Sequence, residues 1–128
     1  MLGNAAALLH PIHFDEPFGL SVIEAMAAGL AVVGIDSPGV GDSITDCETG
    51  LLATDDMASF TAKLTYLCMD GALRKQIGRS ARDASAQYSI ERTTKIMLGH
   101  YMRLTQSTKP VKQGFDERLR KVLEEFLR

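Results

Sequence analysis

Two uninterrupted apolar runs dictate what this chain can fold into. AAALL, residues 5–9, is bounded by Asn4 and Pro11, and LAVVGID, residues 30–36, is apolar and rich in β-branched residues. Neither alternates apolar with polar positions, as a strand with one wet face does. Each reads as a strand buried on both faces, the pattern of a parallel sheet covered by helices. The segment between them supplies a loop and a helix. HFDEPFG is punctuated by Pro17 and Gly19, and in LSVIEAMAAG residues Leu20, Ile23 and Ala27 fall at helical spacing before Gly29, a natural stop.

A second glycine-rich loop, SPGVGDS, follows, and GLLAT at 50–54 is a third short strand. The order is strand, helix, strand, short helix, strand, then helices only. Met57, Phe60, Leu64 and Leu67 predict the inward stripe of one helix, capped by Asp55 or Asp56. Leu73, Ile77 and Ala81 predict that of the next, and Ser89 caps a further helix carrying Ile96, Met97 and Tyr101. The fold class is α/β, a partial Rossmann-like parallel sheet of about three strands with flanking helices and a helical C-terminus. Doubly wound nucleotide-binding domains usually have about five or six strands. The α/β portion is placed at 1–105. Residues 106–114 form a polar linker broken by Pro110 and Gly114. Residues 115–128 form an amphipathic helix with Leu119, Val122, Leu123, Phe126 and Leu127 on one face. The chain opens almost directly on a core strand, as a fragment would.

Composition narrows the function classes. A net charge of −2 and a pI near 5.9 argue against a broad basic surface for nucleic acid, though not against a local anion pocket. Cys47 and Cys68 lack the spacing and the partner histidines of a zinc knuckle, and read as reduced thiols in a cytoplasmic protein. No apolar run approaches the ~18 residues of a membrane span. MLGNAAALLHPI lacks the basic region of a signal peptide. The last helix mixes Arg118, Arg120 and Lys121 with Glu124 and Glu125, unlike a basic membrane-binding helix; packing within the chain is its default role. Arg74, Lys75, Arg79 and Arg82 read as a solvated helix face.

The stretch HPIHFDEPFGLSVIEAMAAG, residues 10–29, admits three chemistries. His10, His13 and Glu16, with Asp15, could hold a metal, but they run through a strand end and a loop with no helical i, i+4 pair to specify ligands. The bland alternative puts His10 at the strand end and leaves His13 solvated. Glu16 and Glu24 could act as a carboxylate pair, one in the loop and one on the helix. The third chemistry uses the backbone. A helix beginning near Gly19, after a strand and a tight loop, aims free N–H groups outward at the edge where open α/β sheets bind ligands. Gly19 lets a diphosphate approach closely, and the two glutamates then accept bonds from ligand hydroxyls.

EPFGLSVIEAMAAGLAVV resembles the donor-site motif of retaining glycosyltransferases of the two-domain GT-B fold, in the large family 4 group. The resemblance rests on Glu16, Phe18-Gly19-Leu20, Glu24-Ala25-Met26-Ala27, Gly29 and Val32-Val33. It continues through Gly39, Asp42, Thr49, Gly50 and Leu51 and covers roughly residues 4–105. It implies half of a GT-B C-terminal domain in which Glu16, the catalytic residue of this reading, lies against the transferred sugar. The amides around Phe18, Gly19 and Leu20 would hold sugar hydroxyls and the diphosphate, and Glu24 would bond the ribose. It implies no metal and no cofactor, since the nucleotide-diphosphate sugar is the substrate.

Ala31 stands where the family commonly has proline, Pro38 where it has a second glycine, and Asp42 where it has glutamate. The family's acceptor-binding N-terminal domain, and the Arg and Lys that clamp the diphosphate, have no counterpart in these residues. The expected partners are a nucleotide sugar and an acceptor domain or partner chain, with self-association through exposed sheet or the last helix as an option. A complete enzyme would be cytoplasmic or peripheral to a membrane. The alternative function is a non-catalytic nucleotide-sugar binding module, or an inactive truncated product that self-associates.

Overall fold

The computed structural model describes residues 4–14, 17–107, 117, 120–122 and 124–125. It falls into two compact units, Met1–Tyr88 and Ser89–Arg128. The first holds three parallel strands, β1 (Ala7–His10), β2 (Ala31–Ile35) and β3 (Leu51–Ala53), in the order β1-β2-β3. Ala7 pairs with Ala31 and His10 with Gly34, while Val33 pairs with Leu51 and Ile35 with Ala53. Helices α1 (Leu20–Ala27), α2 (Met57–Met69) and α3 (Gly71–Ser85) flank the sheet, and a 3-10 turn, Ala86–Tyr88, follows α3.

Every residue of β2 is buried, which is why its sequence reads as an unbroken apolar run. The residues still alternate in space. Val32 enters one core with Val22, Ala25, Met26, Val40 and Ile44. Ala31, Val33 and Ile35 enter the other with Leu51, Phe60, Leu67 and Ile77. Burying a side chain of this size contributes about 1.5–3 kcal/mol. The central strand therefore fixes α1 on one face and α2 on the other. Ile77 joins one cluster and Ala81 the other, so α3 contributes to both where β2 begins.

The inward face of α1 differs from the predicted one. Val22, Ala25 and Met26 are buried; Leu20 and Ala27 are exposed and Ile23 is half-buried. The helix is so apolar that several stripes share its spacing. Its polar residues, Ser21 and Glu24, mark the wet face. In α2, Phe60 and Leu67 are buried as predicted, Leu64 is half-buried, and Met57 is 72% exposed. In α3, Ile77 and Ala81 face inward with Gly78 and Ser85, and Leu73 packs at their edge.

The short helix expected between β2 and β3 is instead a run of turns. Gly41 N–H donates to the Ser37 carbonyl, and Ser43 and Ile44 N–H to that of Val40. Gly39 lies at φ 85°, a left-handed backbone that no α-helix continues through.

Caps set the helix ends. The Asp56 carboxylate accepts the Ser59 N–H at 2.7 Å at the start of α2. Asp70, which the sequence reading did not single out, accepts those of Ala72 and Leu73 at 2.9 and 2.8 Å at the start of α3. At the other end of α1, Gly29 at φ 76° closes a Schellman turn. Its N–H bonds the Met26 carbonyl, and the Leu30 N–H bonds that of Ala25.

In the second unit, α4 spans Ile90–Ser107, and Ser89 caps it by accepting the Arg92 N–H at 3.3 Å. Ile96, Met97 and Tyr101 are each about half exposed. The expected linker begins inside the last turn of α4, and its residues 108–114 lie outside the described residues. Within the expected final helix, Glu117, Arg120 to Val122, Glu124 and Glu125 are helical; Leu119, Leu123, Phe126 and Leu127 lie outside the described residues. No helix among the described residues is long and apolar enough to cross a membrane.

The backbone of α3 passes directly over the turn between α1 and β2, and a methyl group at Gly78 would overlap the Gly29 carbonyl. Gly78→Ala is expected to destabilise the chain by roughly 1–3 kcal/mol, despite the ~1 kcal/mol by which alanine favours a helix. Urea unfolding measures this, and an unchanged or higher midpoint would refute the close approach.

Candidate functional site

Parallel pairing sends the loops after β1, β2 and β3 out of the same edge of the sheet. The first, between His10 and Leu20, ends on Gly19, which is buried and left-handed at φ 66°, ψ 54°. A side chain there would strain by about 1–2 kcal/mol, so the tight entry into α1 calls for glycine. Gly19 accepts the Val22 and Ile23 N–H groups at 2.9 and 3.2 Å, and no side chain caps the helix. The amides of Leu20 and Ser21 precede the first intrahelical bond, so they lie at the positive end of α1 with no partner within the helix.

Glu24 is exposed, one turn beyond Leu20 on the same flank of α1. Leu20 is 64% and Phe18 46% exposed, so two of the expected site residues carry apolar side chains out at this mouth. The Phe18 ring meets Tyr88 edge to face, with centroids 5.7 Å apart and planes at 82°. Asp15 and Glu16 lie outside the described residues. The arrangement described around the α1 N-terminus therefore comprises Phe18, Gly19, Leu20 and Glu24.

The two histidines have separate roles. His10 is buried at the end of β1, its Nδ1 3.5 Å from the Ser21 hydroxyl, and it ties the strand to the first turn of α1. His13 is exposed and hydrogen-bonds Asp55, in the loop after β3. Among the described residues, no three His, Cys, Asp or Glu side chains gather as a metal site would require.

The second loop is built for its own shape. Val40 and Ile44 turn into the core, where Val40 fills the space a Cβ at Gly34 would take, and Ile44 does the same at Gly50. The buried Thr49 hydroxyl accepts the Thr45 N–H at 2.8 Å, closing the turn into β3. Thr49, Gly50 and Leu51 are thus structural, while Asp42 is exposed. Cys47 is the one non-glycine among the described residues with a positive φ, at 63°.

The basic residues of α3 sit elsewhere. Lys75, Arg79 and Arg82 are exposed, as expected for a solvated face. Arg82 packs its stem near Gly29, at the C-terminal end of α1. Arg74 departs from that reading: it is half-buried and donates to the Leu67 carbonyl at 3.1 Å, satisfying the last turn of α2.

A family model described as Glycosyl transferases group 1 matches residues 1–84. The chain belongs to the group 1 glycosyltransferases. It is 35% identical over 83 residues to a glycogen synthase of Mycobacterium tuberculosis, covering 64% of this chain and 20% of that enzyme. Among solved structures, the sucrose-phosphate synthase of Thermosynechococcus elongatus superposes with a TM-score of 0.77 at 28% identity, covering 81% of this chain and 26% of that one. Anabaena HepE, solved with UDP and glucose, matches with a TM-score of 0.69 at 21% identity over 80% of this chain and 28% of that one, which bears on fold alone. This chain therefore spans between a fifth and just over a quarter of the length of these proteins. Its three parallel strands with flanking helices form part of a GT-B glycosyltransferase domain.

Tyr88, the contact of Asp55 with His13 and the Asp46–Lys63 ion pair escaped the sequence reading, which named Asp55 only as an alternative to Asp56 for capping α2. Each acts through a contact between residues far apart in the chain, for which no local signal exists. Asp46 accepts the Leu52 N–H at 2.8 Å and meets Lys63 Nζ at 2.9 Å, joining the start of β3 to α2.

Partial burial pushes the Asp46 carboxyl upward, but the Leu52 N–H, Lys63 and Cys47 outweigh it and hold the group below the ordinary 3.8. Bonds from Thr54, Ser59 and Ala58 hold Asp56 low in the same way. Both groups bind a proton more readily in the unfolded chain. Their contribution is complete above pH ~3.8 and is lost as pH falls below it. Asp46→Asn is expected to flatten this acid limb in urea unfolding between pH 2.5 and 6; an unchanged limb would contradict the linkage. Cys47→Gly is expected to raise stability by up to about 1 kcal/mol by relieving the left-handed backbone, and a lower melting temperature would count against that strain.

Proposed function

We propose that this chain is the donor-binding part of a retaining glycosyltransferase of family 4, which moves a hexose from a nucleotide-diphosphate sugar to an acceptor. The observation that carries the reading is the start of α1: a left-handed glycine and uncapped amides at the ligand edge of the sheet, in a group 1 chain. Such an end suits a diphosphate, because its N–H groups and the helix dipole both favour negative charge. A neighbour of the same fold, 21% identical, was itself solved with UDP and glucose.

In this reading Glu16 contacts the transferred sugar, and the amides of Phe18, Gly19 and Leu20 hold sugar hydroxyls and diphosphate. Glu24, one helical turn away, accepts bonds from the ribose. Catalysis comes from positioning and from stabilising the departing diphosphate, with no covalent nucleophile, metal or cofactor. The acceptor meets the donor in a cleft with a second domain or partner chain, so this chain alone has little or no transferase activity.

Calorimetric titration with UDP-, GDP- and ADP-glucose tests the reading. One of them is expected to bind, and Glu24→Ala to weaken it about tenfold or more, since a hydrogen bond to a charged group contributes ~1.5–3 kcal/mol. Equal affinity in Glu24→Ala would remove the ribose assignment. Robust turnover by this chain alone would overturn the division of labour between domains. Binding with no turnover even beside an added acceptor domain would favour a non-catalytic module.

A further inference from the structure

We infer that Tyr88 and Asp55 are positioning residues for the loop between β1 and α1, one anchoring each shoulder of it; the inference rests on reading that loop as the donor site. Among its described residues, the loop presents Pro11, His13, Phe14, Pro17 and Phe18 to solvent, so these five bury little surface that would hold them in one shape. Ordering such a segment has an entropic cost for every residue. A binding constellation nevertheless needs its groups held to within about 0.5 Å.

Two contacts from outside the loop meet that need. Near its start, His13 hydrogen-bonds Asp55. β1 and β3 are separated by β2, so this bond joins loops that leave strands two spacings, roughly 10 Å, apart. Asp55 stands on a rigid base. The neighbouring Asp56 caps α2 and also takes the Thr54 hydroxyl at 2.5 Å. At the far shoulder, the Phe18 ring meets Tyr88 edge to face. Tyr88 follows the end of α3, where Ala81 and Ser85 are buried. Phe18 directly precedes Gly19, so whatever fixes its ring also fixes the direction in which the first amides of α1 point.

The anchors differ in kind, one a hydrogen bond and one an aromatic contact, and each comes from a different neighbouring element. Loss of one is expected to free one shoulder and leave the other in place.

Nitrogen-15 relaxation of the whole chain, without ligand, tests this. Backbone order parameters at Phe18, Gly19 and Leu20 are expected near the ~0.85 of rigid backbone in the wild type, and to fall toward 0.6 or below in Tyr88→Ala. Tyr88→Phe, which keeps the ring, should retain the wild-type values. Asp55→Ala should loosen His13 and Phe14 and leave Gly19 rigid. The exposed Phe18→Ala gives the same reading at Gly19 should Tyr88→Ala fail to fold. Unchanged order at Gly19 in both ring-deleting variants would overturn the Tyr88 assignment, and unchanged order at His13 in Asp55→Ala would overturn the other.

Titration with UDP-glucose then separates this inference from the donor-site reading. Tyr88→Ala should weaken binding roughly three- to tenfold, the scale of one aromatic pair, and Tyr88→Phe should restore it. Rigid-to-mobile changes in a chain that binds no nucleotide sugar would uphold the anchoring and sink the donor reading.

Discussion

β2 delivers side chains into two cores at once, and the rest of the first unit is arranged around that fact. Val32 holds α1 and the second loop on one face, while Val33 and Ile35 hold α2 on the other, packed beside Leu51 and Ala53 of β3. Both pairings of β2 are parallel. Three parallel strands require every connection to return to the same starting edge, so the three loops that follow them leave together from the opposite one. The site thus follows from burial, since the chain that buries β2 on both faces has no other place to put its loops.

The start of α1 presents backbone groups at that edge, with no side chain capping it. Gly19 contributes a backbone conformation and Leu20 and Ser21 contribute amides, none of which can ionise. In the proposed reading, an anion bound there is held by groups whose charge does not vary with pH and whose direction is set by the helix axis. The two histidines nearby make other contacts. His10 joins strand to helix, and His13 joins loop to loop. Such a backbone cradle suits the diphosphate of the proposed donor, whose own charge persists across the physiological range.

The sheet was legible because burial on both faces leaves an unmistakable apolar run, and the start of α1 was legible because Gly19 and Gly29 bracket it. The caps of α2 and α4 were legible for the same local reason. The inward face of α1 was not, because its apolar residues outnumber Ser21 and Glu24 and offer more than one stripe, and tertiary contact with Val32 and Val40 selects among them. The segment between β2 and β3 misled by length alone: a parallel connection commonly holds a helix, but Pro38 and Gly39 at φ 85° replace it with turns. Contacts such as Phe18 with Tyr88, set by the packing of separate elements, carry no signature that a single sequence displays.

The two left-handed glycines also make α1 a ruler. Between Gly19 and Gly29 the helix has eight residues, close to 12 Å at 1.5 Å each, with its upper end open to the mouth and its lower end locked against Gly78. The distance from the packed backbone crossing to the ligand edge is therefore counted in residues and has no side-chain tolerance. A single residue inserted between the glycines would turn everything above it by about 100° and lift it 1.5 Å. If the crossing at Gly78 kept its contacts, the amides of the first turn would point elsewhere; if the first turn kept its place, the crossing would be lost. The chain can vary the residues along this helix far more freely than it can vary their number.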